Sequence, residues 1–113
     1  MRPDDAYLLD MLLAAREAVE FAVELTYPQF EQGRMHQLAI LKSIEIIGEA
    51  ASRVSAGTKE AHPEIPWREI IGMRNRLVHA YFDVNLIRVW QTVQEDLPAL
   101  IAQLEPLVPP EAG

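Results

Sequence analysis

An all-α fold, an antiparallel bundle of four to five helices, is what this 113-residue sequence predicts. Three observations carry that reading. Apolar residues recur at steps of three and four along most of the chain, the period of a helix face. No stretch alternates apolar and polar residues for long enough to count as a strand. Prolines and cap-forming residues fall between the periodic runs, where turns belong.

Each element follows from its own pattern. Pro3 marks the entry to a first helix and Asp4 or Asp5 can cap it. Tyr7, Leu8, Met11, Leu12, Ala15, Ala18, Val19 and Ala22 then share one face. Thr26-Tyr27-Pro28 breaks the run, because proline disfavours helix at the residue before it. A second helix is expected from Phe30 or Gly33 to Val54, with Ile40, Leu41, Ile44, Ile47, Ala51 and Val54 on its apolar face. Gly48 lies within that face and permits close helix approach. Lys42, Glu45, Glu49 and Arg53 share the other side and read as ordinary surface support. Residues 55–66 read as a loop, with Pro66 opening a third helix that carries Trp67, Ile70, Ile71, Leu77 and Val78. Asp83 or Asn85 can cap a fourth. Its positions Leu86, Trp90, Val93, Leu97, Leu100, Leu104 and Leu107 alternate steps of four and three, a bundle seam. Pro98 sits on the other face and predicts a kink or short break nearby. One domain is expected over residues 1–113, with 109–113 as a frayed tail.

Composition narrows the function classes. The chain has no cysteine, which excludes disulfides, thiolate nucleophiles and cysteine-based zinc sites, and fits a reducing cytoplasm. His36 and His62 share no ligand spacing with His79, so no metal and no cofactor is expected. The acidic start, Asp4-Asp5, and the early Asp10 do not make a signal peptide, and no apolar run approaches a membrane span. Net charge is −7, from 10 basic and 17 acidic residues, against the basic footprint usual in nucleic-acid binders. Between Trp67 and Trp90, however, Arg68, Arg74, Arg76 and Arg88 face only Glu69 and Asp83. That window is net positive inside an acidic protein, and charge alone does not separate a short single-strand site from a solvated helix face.

The stretch Arg74-Asn-Arg-Leu-Val-His-Ala-Tyr81 concentrates chemistry within this window. Arginine offers a fixed charge and a fork of donors suited to phosphate. Histidine exchanges protons near neutral pH. Together they are the minimum for cutting a phosphodiester without metal. On a helical wheel Arg74 falls in the middle of the arc formed by Trp67, Ile70, Ile71, Leu77, Val78 and Tyr81, where a charge is costly unless paired or facing a cavity or ligand. Asn75 lies one turn before His79 and can orient the imidazole. On a straight helix Arg74 and His79 diverge by about 140°. Either the helix ends or distorts near His79, or a second copy completes the site across a two-fold axis; the second solution is preferred, with room for some of the first. The bland alternatives are a structural histidine and core aromatics at Tyr81 and Phe82, and spacing alone favours them.

Arg74, four residues, His79, Ala80 and Tyr81 match the Arg-x4–6-His-x-Tyr signature of the HEPN superfamily. The flanks from His62 to Asp83, from Ile44 to Ala51, and Val89-Trp90 with Asp96-Leu97-Pro98 resemble its HepT-like branch, so the resemblance spans nearly the whole chain. It implies a helical bundle that dimerises through the motif helix, with the two motifs meeting at the interface. It implies a metal-independent endoribonuclease toxin of a type II/VII-like toxin–antitoxin module, acting on RNA. Its partner would be an MntA-like nucleotidyltransferase antitoxin that adenylylates the motif tyrosine. Carried over, Arg74 and His79 are catalytic, Asn75 and Arg76 supporting, and Tyr81 the modification site. A second reading, a non-catalytic helical module that partners a nucleotidyltransferase, stays open. A purely structural dimeric bundle accounts poorly for Arg74 in an apolar arc.

Overall fold

In a computed structural model the chain is described over residues 3–80 and 83–109, with backbone alone for His79 and Ala80. The elements are α1 (Pro3–Ala22), α2 (Tyr27–Gln32), α3 (Arg34–Arg53), α4 (Ala56–Ala61), α5 (Trp67–Leu77), β1 (Val78–Ala80), β2 (Asp83–Val84), α6 (Leu86–Gln91), a π-helical turn (Thr92–Asp96), α7 (Leu97–Leu104) and a final 3₁₀ turn (Glu105–Leu107). α6, the π turn and α7 run on without a break, so the long pieces are α1, α3, α5 and this composite rod. The all-α bundle is as the periodicity reads it. α1 packs along α3 and against α7, and α3 packs against α5.

The core is assembled from the expected faces. Leu8, Met11, Leu12, Ala15, Ala18 and Ala22 of α1 are buried against Ile40, Ile44, Ile47 and Ala51 of α3. Val89, Val93, Leu97, Leu100 and Leu104 close the other side. The alanines of α1 leave room for the larger side chains opposite, which lets the two longest helices lie close. Gly48 does the same between α3 and α5: a Cβ there would sit 3.4 Å from the carbonyl oxygens of both Ile70 and Ile71. Among the described residues no helix is long and apolar enough to cross a membrane.

Four local expectations change. The break at Thr26-Tyr27-Pro28 is at once a start. Thr26 Oγ1 accepts from Gln29 N–H and Gln29 Oε1 accepts from Thr26 N–H, a reciprocal cap that nucleates α2, with Pro28 in its first turn. α2 then ends at Gly33, so of the two expected starts of the second helix Gly33 agrees with α3, and Phe30 belongs to a separate helix before it. Its Phe30 is fully buried and its ring lies 5.3 Å from that of Trp90. Residues 55–66, expected as a loop, hold α4. Its N-cap Ser55 takes the Thr58 N–H, and the Asp4 carboxylate accepts from Ser55 N–H and from the Ser55 and Thr58 hydroxyls. Asp4 thus ties the start of α1 to α4. Finally, a short hairpin, β1 with β2, stands where the sequence shows no strand.

The break predicted from Pro98 appears as the π turn just before it. Proline has no N–H to give, and its ring crowds the carbonyl four residues earlier. Inserting one residue per turn over Thr92–Asp96 relieves that conflict without ending the helix. Past Pro109 the expected tail lies outside the described residues.

Candidate active site

Arg74 and His79 stand on different kinds of backbone. α5 stops at Leu77, and the Val78 N–H closes it on the Arg74 carbonyl. Val78, β-branched and less at ease in a helix, begins the extended segment. β1 then pairs antiparallel with β2, Val78 opposite Val84 and Ala80 opposite Asp83, with an irregularity between them. Asn85 closes the excursion. Its N–H donates to the Leu77 carbonyl at 2.9 Å, and its side-chain oxygen accepts from Arg88 N–H at 3.1 Å to start α6. Helix end, hairpin and helix start are packed into the residues from Leu77 to Leu86.

The expectation of one helix through the whole motif is therefore corrected. Of the two ways around the 140° divergence, the backbone takes the first: the helix ends before His79. The wheel failed here because the capping chemistry of Asn85 and the strand preference of Val78 outweigh a periodicity that continues only by coincidence through Val78 and Tyr81. Tyr81 and Phe82 lie outside the described residues, and so does the side chain of His79.

Arg74 is also placed differently from the wheel argument. Trp67, Ile70, Met73 and Leu77 fill the inward face, and Arg74 is exposed. It makes no ion pair among the described residues. The desolvation cost invoked for it does not arise within one chain. Ile71, one turn earlier on the same flank, is 40% exposed, so a partly exposed apolar residue adjoins an arginine that is unpaired among the described residues. Asn75 and Arg76 are exposed as well. Arg76 folds back along α5, where its Nη2 donates to the Glu69 carbonyl.

A feature that sequence reasoning missed adjoins this segment. Between α5 and the rod lies a groove of about 610 Å³. Ile70, Met73, Leu77, Leu97 and Leu100 form its floor; Arg76 and Arg88 stand on its walls, and Thr92 and Asp96 of the π turn line it. Arg74 does not line it. Arg88 had been counted only as a charge in the basic window. Its place at the start of the fourth helix, antiparallel to α5, would have set it opposite Arg76.

With the fold and this geometry in view, comparison with known proteins gives one answer. The chain is that of a ribonuclease family. The sequence model of the ribonuclease HepT-like family matches residues 11–107, and the chain belongs to that family. A Thermococcus cleftensis protein named "Probable ribonuclease HepT" is 42% identical over 101 residues, covering 89% of this chain and 92% of its own. A Methanocaldococcus jannaschii protein named as a "Putative RNase" is 36% identical over 100 residues, 88% of this chain and 92% of its own. A Caldanaerobacter subterraneus protein, also a "Putative RNase", is 32% identical over 111 residues, 98% of this chain and 99% of its own. No solved structure matches the chain.

Proposed function

We propose that this protein is an endoribonuclease that cuts RNA without a metal ion, as the toxin of a toxin–antitoxin pair. The observation that carries the reading is an exposed Arg74, unpaired among the described residues, on the last turn of α5, followed directly by the turn out of the helix that bears His79. A guanidinium that meets no carboxylate among the described residues is available to phosphate. The 2′-hydroxyl of RNA attacks the adjacent phosphorus, forming the 2′-O–P bond and breaking the 5′-O–P bond. His79 takes the 2′-hydroxyl proton as base, or gives a proton to the departing 5′-oxygen as acid. Arg74 stabilises the charge that develops on the non-bridging oxygens. DNA lacks the attacking group, which accounts for the choice of RNA. Asn75 and Arg76 support the pair.

The protein works as a homodimer. Ile71 beside Arg74 gives the motif flank an apolar contact that a single chain leaves in water. A nucleotidyltransferase partner silences the toxin by adenylylating Tyr81, adding bulk and negative charge to the segment that also carries Arg74 in the sequence. The deciding experiment is His79→Ala. RNA cleavage and growth inhibition should vanish while the dimer and the helical spectrum persist; cleavage that survives removes His79 from the mechanism. For the switch, the mass of the Tyr81 peptide after incubation with the nucleotidyltransferase and ATP should rise by AMP units, and an unchanged mass refutes it.

A further inference from the structure

The hairpin sets one acidic residue across from the motif histidine. β1 takes two steps, from Val78 to Ala80, where β2 takes one, from Val84 to Asp83. His79 is therefore the extra residue of a bulge, and His79 and Ala80 together oppose Asp83. Bulges recur next to active sites, where they re-aim a side chain. Directly opposed residues have Cβ atoms about 5 Å apart, a span that a carboxylate and an imidazole can close. Asp83 is exposed, and its carboxylate makes no hydrogen bond or ion pair among the described residues. It is the one acid of the sequence between Glu69 and Glu95. The charged groups in the adjoining turns are Arg74 and Arg76 of α5 and Arg88 of α6, and among the described residues Asp83 pairs with none of them.

From this register we infer that Asp83 is the positioning residue of His79, its carboxylate accepting from one ring N–H of the imidazole. The inference rests on the ribonuclease reading, which gives His79 a proton to move. A neutral imidazole carries a proton on one nitrogen only. Holding that proton toward Asp83 leaves the other nitrogen bare for the 2′-hydroxyl, as the base requires. When that nitrogen takes the proton, the carboxylate stabilises the imidazolium that forms. Where His79 gives a proton to the 5′-oxygen instead, the same contact keeps the charged ring ready. The helical spacing that would bring Asn75 to this task ends with α5 at Leu77. An exposed pair adds little to stability, so the hairpin does not need Asp83 for its fold. What Asp83 changes is the orientation and the proton affinity of one ring.

Asp83→Asn and Asp83→Glu test this. Both should melt with the wild type, because the position is exposed. The titration of His79 is followed in each by NMR, its signals told from those of His36 and His62 by their loss in His79→Ala. An opposite charge favours the protonated ring, so Asp83→Asn should move the His79 midpoint about one pH unit lower. Asp83→Glu keeps the charge and should hold the midpoint near that of the wild type. In RNA cleavage Asp83→Asn should lower kcat at least about tenfold with KM unchanged, and move the pH dependence of kcat in the direction of the titration. Asp83→Glu should recover part of that loss. A His79 midpoint that ignores Asp83→Asn overturns the inference and gives the carboxylate to one of the arginines. So does a kcat that falls equally in both variants with its pH dependence unmoved, the mark of a structural role. The two readings fail separately. A midpoint that moves in a protein that cuts no RNA sinks the ribonuclease reading and leaves the Asp83–His79 contact standing. Cleavage untouched by Asp83→Asn keeps the ribonuclease reading and removes Asp83 from it.

Discussion

The backbone N–H of Asn85 donates to the carbonyl of Leu77 at 2.9 Å, and this one bond joins the end of α5 to the start of α6. Between its two ends the chain runs through the motif segment, from Val78 to Val84 in the sequence. Asn85 also caps α6 through Arg88 N–H. Two substitutions separate these duties. Asn85→Ala loses the cap alone, which costs about 1 kcal/mol and lowers Tm by about 4 °C. The φ of −79° at Asn85 suits a proline ring, so Asn85→Pro removes the N–H with little added strain. With the clamp gone, RNA cleavage should fall at least tenfold at a temperature where circular dichroism still reports a folded bundle. Cleavage by Asn85→Pro equal to that of Asn85→Ala would show that the clamp does not position the motif.

Gly48 sets the height of α5 above α3. A Cβ at 3.4 Å from the Ile70 and Ile71 carbonyls is an ordinary contact on its near edge. Gly48→Ala should therefore fit, the helix gain of about 1 kcal/mol offsetting slight crowding. Gly48→Val places further methyl groups against backbone that cannot yield, and overpacking of this kind costs about 1–3 kcal/mol. Urea unfolding should leave the alanine variant within about 1 kcal/mol of wild type and lower the midpoint of the valine variant clearly. Equal midpoints for the two would mean that the helices part freely at this crossing.

Much of this was legible in the sequence, and the exceptions share a cause. The faces of α1, α3 and the final rod were readable because burial follows the 3.6-residue period along long stretches, and the break near Pro98 was readable because proline has only one backbone chemistry. α4 was not, since it is six residues long and buries none of its side chains; it is held by Ser55 and Asp4, a contact across 51 residues. The end of α5 was missed for a related reason. Apolar residues at Val78 and Tyr81 continued the period, while the deciding groups, Asn85 and the Leu77 carbonyl, are brought together by the hairpin itself. Arg74 was singled out on a premise that the structure does not bear out: it is exposed, while Trp67, Ile70 and Leu77 of the arc beside it are buried and Ile71 is 40% exposed.

That flank makes the dimer testable. Ile71 is 40% exposed, so Ile71→Glu should change the stability of a single chain by no more than about 0.5 kcal/mol. On a two-fold interface the substitution would set two carboxylates together in an apolar contact. Sedimentation velocity should then shift from dimer to monomer, and RNA cleavage should fall with the dimer fraction. A variant that stays dimeric moves the interface away from the motif flank. A monomer that cleaves as the wild type does would show that one chain holds a complete site.

The strongest demand falls on Arg74. Being exposed and unpaired among the described residues, it can be changed without cost to the fold, so Arg74→Ala and Arg74→Lys should melt with the wild type. Their kinetics should differ. If Arg74 meets the phosphate only as charge develops, Arg74→Ala lowers kcat by about 10²–10³ with little change in KM. Lysine keeps the charge but loses the planar fork and should fall in between. A rise in KM alone would instead make Arg74 a ground-state phosphate contact. The double variant Arg74→Ala with His79→Ala gives the last check. Groups that serve one transition state are not additive, so the pair removed together should be hardly slower than His79→Ala by itself. Two multiplied losses would place the two residues in separate steps, and the site would then need a different partner for His79.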